Sequence, residues 1–198
     1  MWKKEQVGIK LNKTQRRKHS LKKIFLVLLA IVLVVLIFFN VKDFVLKKLY
    51  PKKYNEYVEQ YAKEYNLNEN IVYAIIKNES NFDKDISSNK GAIGLMQIMQ
   101  ETGNEVANRI NIESANLLDA KTNIQIGTRY FSELYQKYNN TNLALTAYNA
   151  GTGNVDKWIE SGIIKSSGED IENIPYKETN MYVRKVIQTE KIYEVLYK

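Results

Sequence analysis

The run VYAIIKNES at residues 72–80 carries apolar residues at helical spacing and then ends on a carboxylate, Glu79. Read as a helix, Ile71, Val72, Ile75 and Ile76 form one stripe, and Glu79 falls four residues beyond Ile75 and eight beyond Ile71, on the same side. A carboxyl group in that position loses part of its water. Desolvation disfavours the charged form, so its pKa rises toward neutrality and the group becomes a proton donor where most carboxylates are acceptors. The competing reading is a frayed helix end that turns Glu79 out to solvent, the ordinary fate of a single glutamate.

The residue types missing from the 198-residue chain narrow the chemistry further. There is no cysteine, and the only histidine, His19, sits in a basic N-terminal segment. Cysteine nucleophiles, Ser-His-Asp hydrolysis and His-bearing metal sites are therefore excluded from the folded part, and no cofactor or metal is called for. Asp, Glu, Lys and Tyr remain as proton-transfer groups, which puts Glu79 first.

The elements that must position it are helical almost throughout. Tyr54, Tyr57, Val58, Tyr61, Ala62 and Tyr65 mark one amphipathic helix, and Asn68 is placed to cap the next, which carries Glu79. The polar stretch SNFDKDISSNKGAIG follows, then LMQIMQETGNEVANRI, read as helix. Ile124, Gly127, Phe131, Leu134, Tyr135 and Tyr138 outline a longer helix. TNLALTAYNAGTGNV reads as a short apolar helix ended by glycines, and Tyr182, Val183, Val186, Ile187, Tyr193 and Leu196 outline a last helix after Pro175. No alternation at period two appears, so the expected fold is mainly α with room only for a very small sheet.

The formal charge of +7 is localised. Residues 1–23 hold nine Lys or Arg against Glu5 alone, whereas the stretch from residue 54 onward holds 15 basic and 20 acidic residues, so the body is not a nucleic-acid-binding domain. Sixteen uninterrupted apolar residues, Ile24 to Phe39, would rise about 24 Å as a helix, and Val41, Phe44 and Val45 extend the apolar surface. The stretch runs into NVKDF without a small-x-small cleavage pattern, so it reads as an uncleaved anchor and not a signal peptide. The charge bias places the N-terminus in the cytoplasm and the body outside. The expected organisation is a basic tail at 1–23, a transmembrane helix at 24–41, a linker at 42–53 and a catalytic domain at 54–198.

Four short segments stand out in the body: ES at 79–80, SNKGAIGLMQ at 88–97, AYNAG at 147–151 and PYKETNMYV at 175–183. Their order and spacing resemble the catalytic domain of soluble-type, family 1 lytic transglycosylases, over roughly Tyr54 to Lys198. The resemblance implies a lysozyme-like fold and cleavage of peptidoglycan glycan strands at the bond from MurNAc to GlcNAc. It makes Glu79 the sole catalytic acid, with Ser88 and Tyr148 supporting the reaction centre. It further implies that Ser80, Gly94, Met96, Gln97, Asn149, Glu178 and Tyr182 form or support the sugar groove. Gln100 stands where the family usually has proline, and Asn180 where arginine is common; both departures concern loop shape and not the acid.

A two-carboxylate glycosidase needs a partner acid across the bond. Asp83, Asp85, Glu101 and Glu178 are available, but solvated surface roles suit them better. With one acid, the resemblance implies that the substrate's 2-acetamido group assists and that the product is a 1,6-anhydro sugar. Two alternatives stay open: a lysozyme-type hydrolase using water at the same bond, and a non-catalytic wall-binding or assembly module. The implied partners are glycan strands and the membrane, with no nucleic acid; whether secretion or division machinery of the envelope recruits the protein is not written in the sequence.

Overall fold

A computed structural model describes residues 13–198, without the side chains of residues 13–17, 19, 20 and 38–40. The basic tail read at 1–23 lies outside the described residues as far as residue 12. Helix α1 runs over Lys13–Leu49. Its segment Leu21–Leu49 is long and apolar enough to cross a membrane. At about 1.5 Å per residue its 29 residues exceed the roughly 30 Å of a hydrocarbon core. The helix does not stop at residue 41: residues 42–49, read as linker, continue it.

The second compact unit is Tyr50–Lys198. Residues 50 and 51 already belong to its fabric, because the Tyr197 hydroxyl donates to the Tyr50 carbonyl at 2.8 Å and the Tyr193 hydroxyl to the Pro51 carbonyl at 3.1 Å. Helix α2 (Asn55–Glu64) is followed by α3 (Glu69–Glu79), whose start is capped by the Asn68 side chain accepting from the Asn70 amide at 2.9 Å. Six consecutive residues of α3, Ile71 to Ile76, are buried, so this is a central helix and not a surface one. It packs chiefly on α8 (Lys177–Leu196), through a core that includes Val72, Ile75, Val183 and Val186.

Helix α4 (Gln100–Arg109) and α5 (Ala120–Tyr138) follow, with Asp119 capping α5 through the Thr122 amide. Then come α6 (Thr141–Ala150) and α7 (Thr152–Glu160). The glycine stretch expected to end one helix thus separates two, with Gly151 at φ +84° as the joint.

Among the described residues the only sheet is a pair of two-residue strands, β1 (Ala92–Ile93) and β2 (Ile98–Met99), antiparallel with Ala92 opposite Met99. The run LMQIM is therefore not helix but turn and strand. A hairpin this small cannot stabilise itself in water, and one buried side chain from α5 holds it. The Asn123 amide donates to the carbonyls of Ile93 at 2.9 Å and Leu117 at 2.8 Å, and its oxygen accepts from the Met96 amide at 2.8 Å. Gly94, at φ +75°, makes room for it, since a Cβ there would lie 2.4 Å from both Asn123 Nδ2 and the Leu117 carbonyl. Gly127 provides the companion notch, where a Cβ would meet the Met96 sulfur at 2.5 Å.

Candidate active site

A cleft of about 500 Å³ opens beside the end of α3. One wall is the hairpin lobe, contributing Ser88, Asn89, Lys90, Ala92, Gln97 and Met99. The other is helical, contributing Tyr148, Asn149 and Ala150 from the end of α6 and Tyr176, Glu178 and Thr179 from the start of α8. Glu79 joins them at the end of α3.

Burial pushes the Glu79 carboxyl up from 4.5 to about 7, and the Tyr182 hydroxyl works weakly in the opposite direction. The negative end of the α3 dipole also disfavours a carboxylate at this position. Tyr182 is not part of the cleft lining: its hydroxyl is buried, has no hydrogen-bond partner by distance and angle, and is coupled electrostatically to Glu79. Burial first, and the charge of Glu79 second, hold the phenols of Tyr148 and Tyr182 well above the ordinary tyrosine value. Both therefore stay protonated, which keeps each hydroxyl available as a donor.

Tyr148 lines the cleft, yet its hydroxyl donates to the Met96 carbonyl at 2.7 Å, so its bond spans from α6 to the hairpin lobe. Its ring is wedged against Tyr130 and Phe131, at centroid distances of 5.4 and 6.1 Å. Ser88 Oγ accepts from the backbone amides of Lys90 at 3.3 Å and Ala92 at 3.0 Å, shaping the turn at the rim. Gln97 sits at φ +46° with its side-chain amide bonded to the carbonyls of Gly94 and Ile86. On the opposite wall Asn149 accepts from the buried Thr179 hydroxyl at 2.7 Å.

Glu79, Ser88, Tyr148, Gln97, Asn149 and Glu178 are thus brought together around one cleft. Ser80, Gly94, Met96 and Tyr182 are placed behind it. Ser80 is buried, donates to the Ile76 carbonyl and accepts from the Phe82 amide at 3.1 Å, holding a turn in which Asn81 and Phe82 both have positive φ. Met96 is fully buried in the Gly127 notch and offers the site only its carbonyl. Asn180 folds back onto the Ile171 carbonyl and accepts from Arg184 at 2.9 Å. Lys90, Tyr176 and Thr179 also line the cleft; they lie inside the singled-out segments, which assigned them no role. Tyr176 carried one usable signal, since it directly follows Pro175 in a segment already singled out. Its half-exposed ring stands edge-on to Trp158 at 4.9 Å.

Glu79 and Glu178 are the only acids among the lining residues, and Glu178 is exposed at the rim. Asp83 and Asp85 stay in the polar loop before the hairpin, where Asp85 pairs with Lys84. Glu101 opens α4 on the exterior. No three His, Cys, Asp or Glu side chains cluster as metal ligands among the described residues.

Residues 56–170 match the family described as Transglycosylase SLT domain. The chain belongs to that family. It is 34% identical over 155 residues to the soluble lytic murein transglycosylase of Salmonella typhimurium, covering 75% of this chain and 24% of that protein. It is 33% identical over 166 residues to the membrane-bound lytic murein transglycosylase C of Edwardsiella ictaluri, covering 71% of this chain and 46% of that one. The crystal structure of the 70-kDa soluble lytic transglycosylase from Escherichia coli superposes with a TM-score of 0.69 at 32% identity, over 77% of this chain and 26% of the other. The chain thus spans about a quarter of the soluble relatives it matches and under half of the membrane-bound one. The SLT fold is the mainly helical, lysozyme-like architecture described above.

Proposed function

We propose that this SLT domain is a peptidoglycan lytic transglycosylase with Glu79 as acid and then base. The observation that carries the reading is a single carboxyl group, raised to about 7, at the cleft, with no second buried acid among the lining residues. Glu79 protonates the oxygen of the MurNAc to GlcNAc bond. As the bond breaks, the carbonyl oxygen of the substrate's 2-acetamido group stabilises the positive charge at the anomeric carbon, which one protein carboxylate could not do while also acting as acid. The Glu79 carboxylate then takes the proton of the MurNAc 6-hydroxyl, whose oxygen attacks the anomeric carbon. The 1,6-anhydro ring closes and Glu79 is protonated again, so no water is consumed. The Tyr182 hydroxyl, facing Glu79 from behind, steadies the carboxylate between the two proton transfers.

The matched proteins named lytic murein transglycosylases support the substrate class. Digestion of purified sacculi by the full chain, followed by mass spectrometry, tests the reaction. Products one water lighter than hydrolysed fragments are expected, whereas reducing-end products assign a muramidase. Glu79→Gln should lower release by at least about 10³-fold, the scale of a lost general acid; unchanged release leaves only a wall-binding role.

The long apolar helix and the basic residues before it support a single membrane pass with the N-terminus inside and the SLT domain on the wall side. Because the chain has no cysteine, Ser166→Cys and Thr14→Cys provide clean labels. An impermeant maleimide on intact cells should reach only the first.

A further inference from the structure

The three helices that meet at the cleft carry a second pocket toward their other ends. It holds about 150 Å³ and is lined by Leu67 and Ile71 around the start of α3, Phe131 and Tyr135 of α5, Thr141 at the start of α6 and Glu190 of α8, with two asparagines of the turn between α2 and α3. Along the helices Ile71 lies eight residues from Glu79, Thr141 seven from Tyr148 and Glu190 eleven from Thr179, so roughly 10–17 Å of helix separates the pocket from the cleft. The two share no lining residue.

The lining holds one acid and no base. Among the described residues Glu190 makes no hydrogen bond and no ion pair. Burial first, and the charge of Glu194 second, hold its carboxyl above the usual glutamate value, with Lys191 acting in the other direction. Other partly buried acids of the domain are not left this way: Glu69, Glu133 and Asp156 each have a Lys or Arg partner at 2.5–2.9 Å. A carboxylate out of water and without a partner is costly, so a cation that entered beside Glu190 would be held by the charge it supplies. The rest of the lining says which kind of cation. Phe131 and Ile71 are buried in the walls and Tyr135 is more than a third exposed. Aromatic rings attract an ammonium group, and aliphatic walls accept a methylene chain. An anion would meet a like charge, and a calcium or magnesium ion needs more oxygen ligands than one carboxylate supplies.

We infer that this pocket is a binding site for a primary ammonium group on a short alkyl arm, with Glu190 as its counter-ion and Tyr135 and Phe131 as walls along which the arm lies. The site is independent of the proposed reaction, since it uses none of the cleft residues. Two carriers have this chemistry: a lysine-like side chain on a peptide and a free alkyl diamine.

The test titrates the isotope-labelled full chain in detergent micelles with pentylamine, above neutral pH, and follows the backbone amides by NMR. Shifts at Leu67, Ile71, Tyr135 and Thr141 that saturate with a Kd on the order of 1 mM are expected, while Ser88 and Tyr148 at the cleft stay still. Pentanol, of the same shape without the charge, should bind at least about tenfold more weakly, the scale of one charge-assisted hydrogen bond. Pentylamine should lose a similar factor on Glu190→Gln and about threefold on Tyr135→Leu. If either variant fails to fold, the contrast of amine with alcohol on the wild type decides alone. Nα-acetyl-lysine methylamide and cadaverine then identify the carrier: binding of the first assigns a peptide arm, and binding of the second alone a free diamine. Equal affinity for amine and alcohol, full-strength binding to folded Glu190→Gln, no shift at the pocket, or shifts confined to the cleft overturn the inference.

Discussion

The two walls of the cleft are held by different means. The helical wall, from α6 and α8, is secured by extended apolar packing, in which α8 covers α3 along its length and Val183 and Val186 are fully buried. The hairpin lobe has only two strands of two residues, and its position depends on a few point supports, the Asn123 amide, the Gly127 notch and the Tyr148 bond to the Met96 carbonyl. Apolar packing spreads its support over many contacts, and losing one costs a fraction of the total. A polar hub concentrates support, and losing it leaves several buried groups unpaired at once.

That contrast can be broken at its strong end by Asn123→Ala. It removes three hydrogen bonds, two of them buried, and should cost about 3–4 kcal/mol in chemical denaturation, with the proposed lytic activity lost as Gln97 and Ser88 move. A loss below about 1 kcal/mol would show that the lobe has other support. Glu79→Gln should act in the opposite sense. Glu79 binds its proton more tightly folded, at about 7, than unfolded, near 4.5, so the folded state holds the extra proton between those values. Stability then falls as pH rises through that window and levels off above it. The glutamine variant lacks this loss and should be about 2–3 kcal/mol more stable than wild type at pH 8, with the gap closing by pH 4. At the weak end, Thr179→Val on the helical wall removes one hydrogen bond to Asn149 and should cost about 1 kcal/mol. Thermal melts at matched pH put the three variants in order.

Legibility in the sequence follows the same division. Helix α3 was readable because Ile71, Val72, Ile75 and Ile76 repeat at helical spacing behind an Asn68 cap, and all of that information is local. The lobe was not. LMQIM fell within a pattern helical almost throughout, whereas Met96 is held by a side chain 27 residues away in sequence and by a glycine on the next turn of α5. The motif resemblance gathered residues that the fold brings to one cleft or behind it, without telling which of them face it. It grouped Ser80, Met96 and Tyr182 with the groove, where the structure turns their side chains into turn, core and rear support. Lys90 looked like any solvated lysine, because its partner Glu178 lies in a distant segment and only the folded chain brings the two together.

The bond from Tyr148 to the Met96 carbonyl sets how far the two walls of the cleft can part. The Tyr148 hydroxyl is partly buried and bonded at 2.7 Å, so at the root the two jaws are pinned by a strut. At the lips only an exposed charge pair spans the gap. On the proposed function, depth is fixed and bite adjustable, which admits chains of varied decoration while every sugar that reaches the bottom meets Glu79 at the same height.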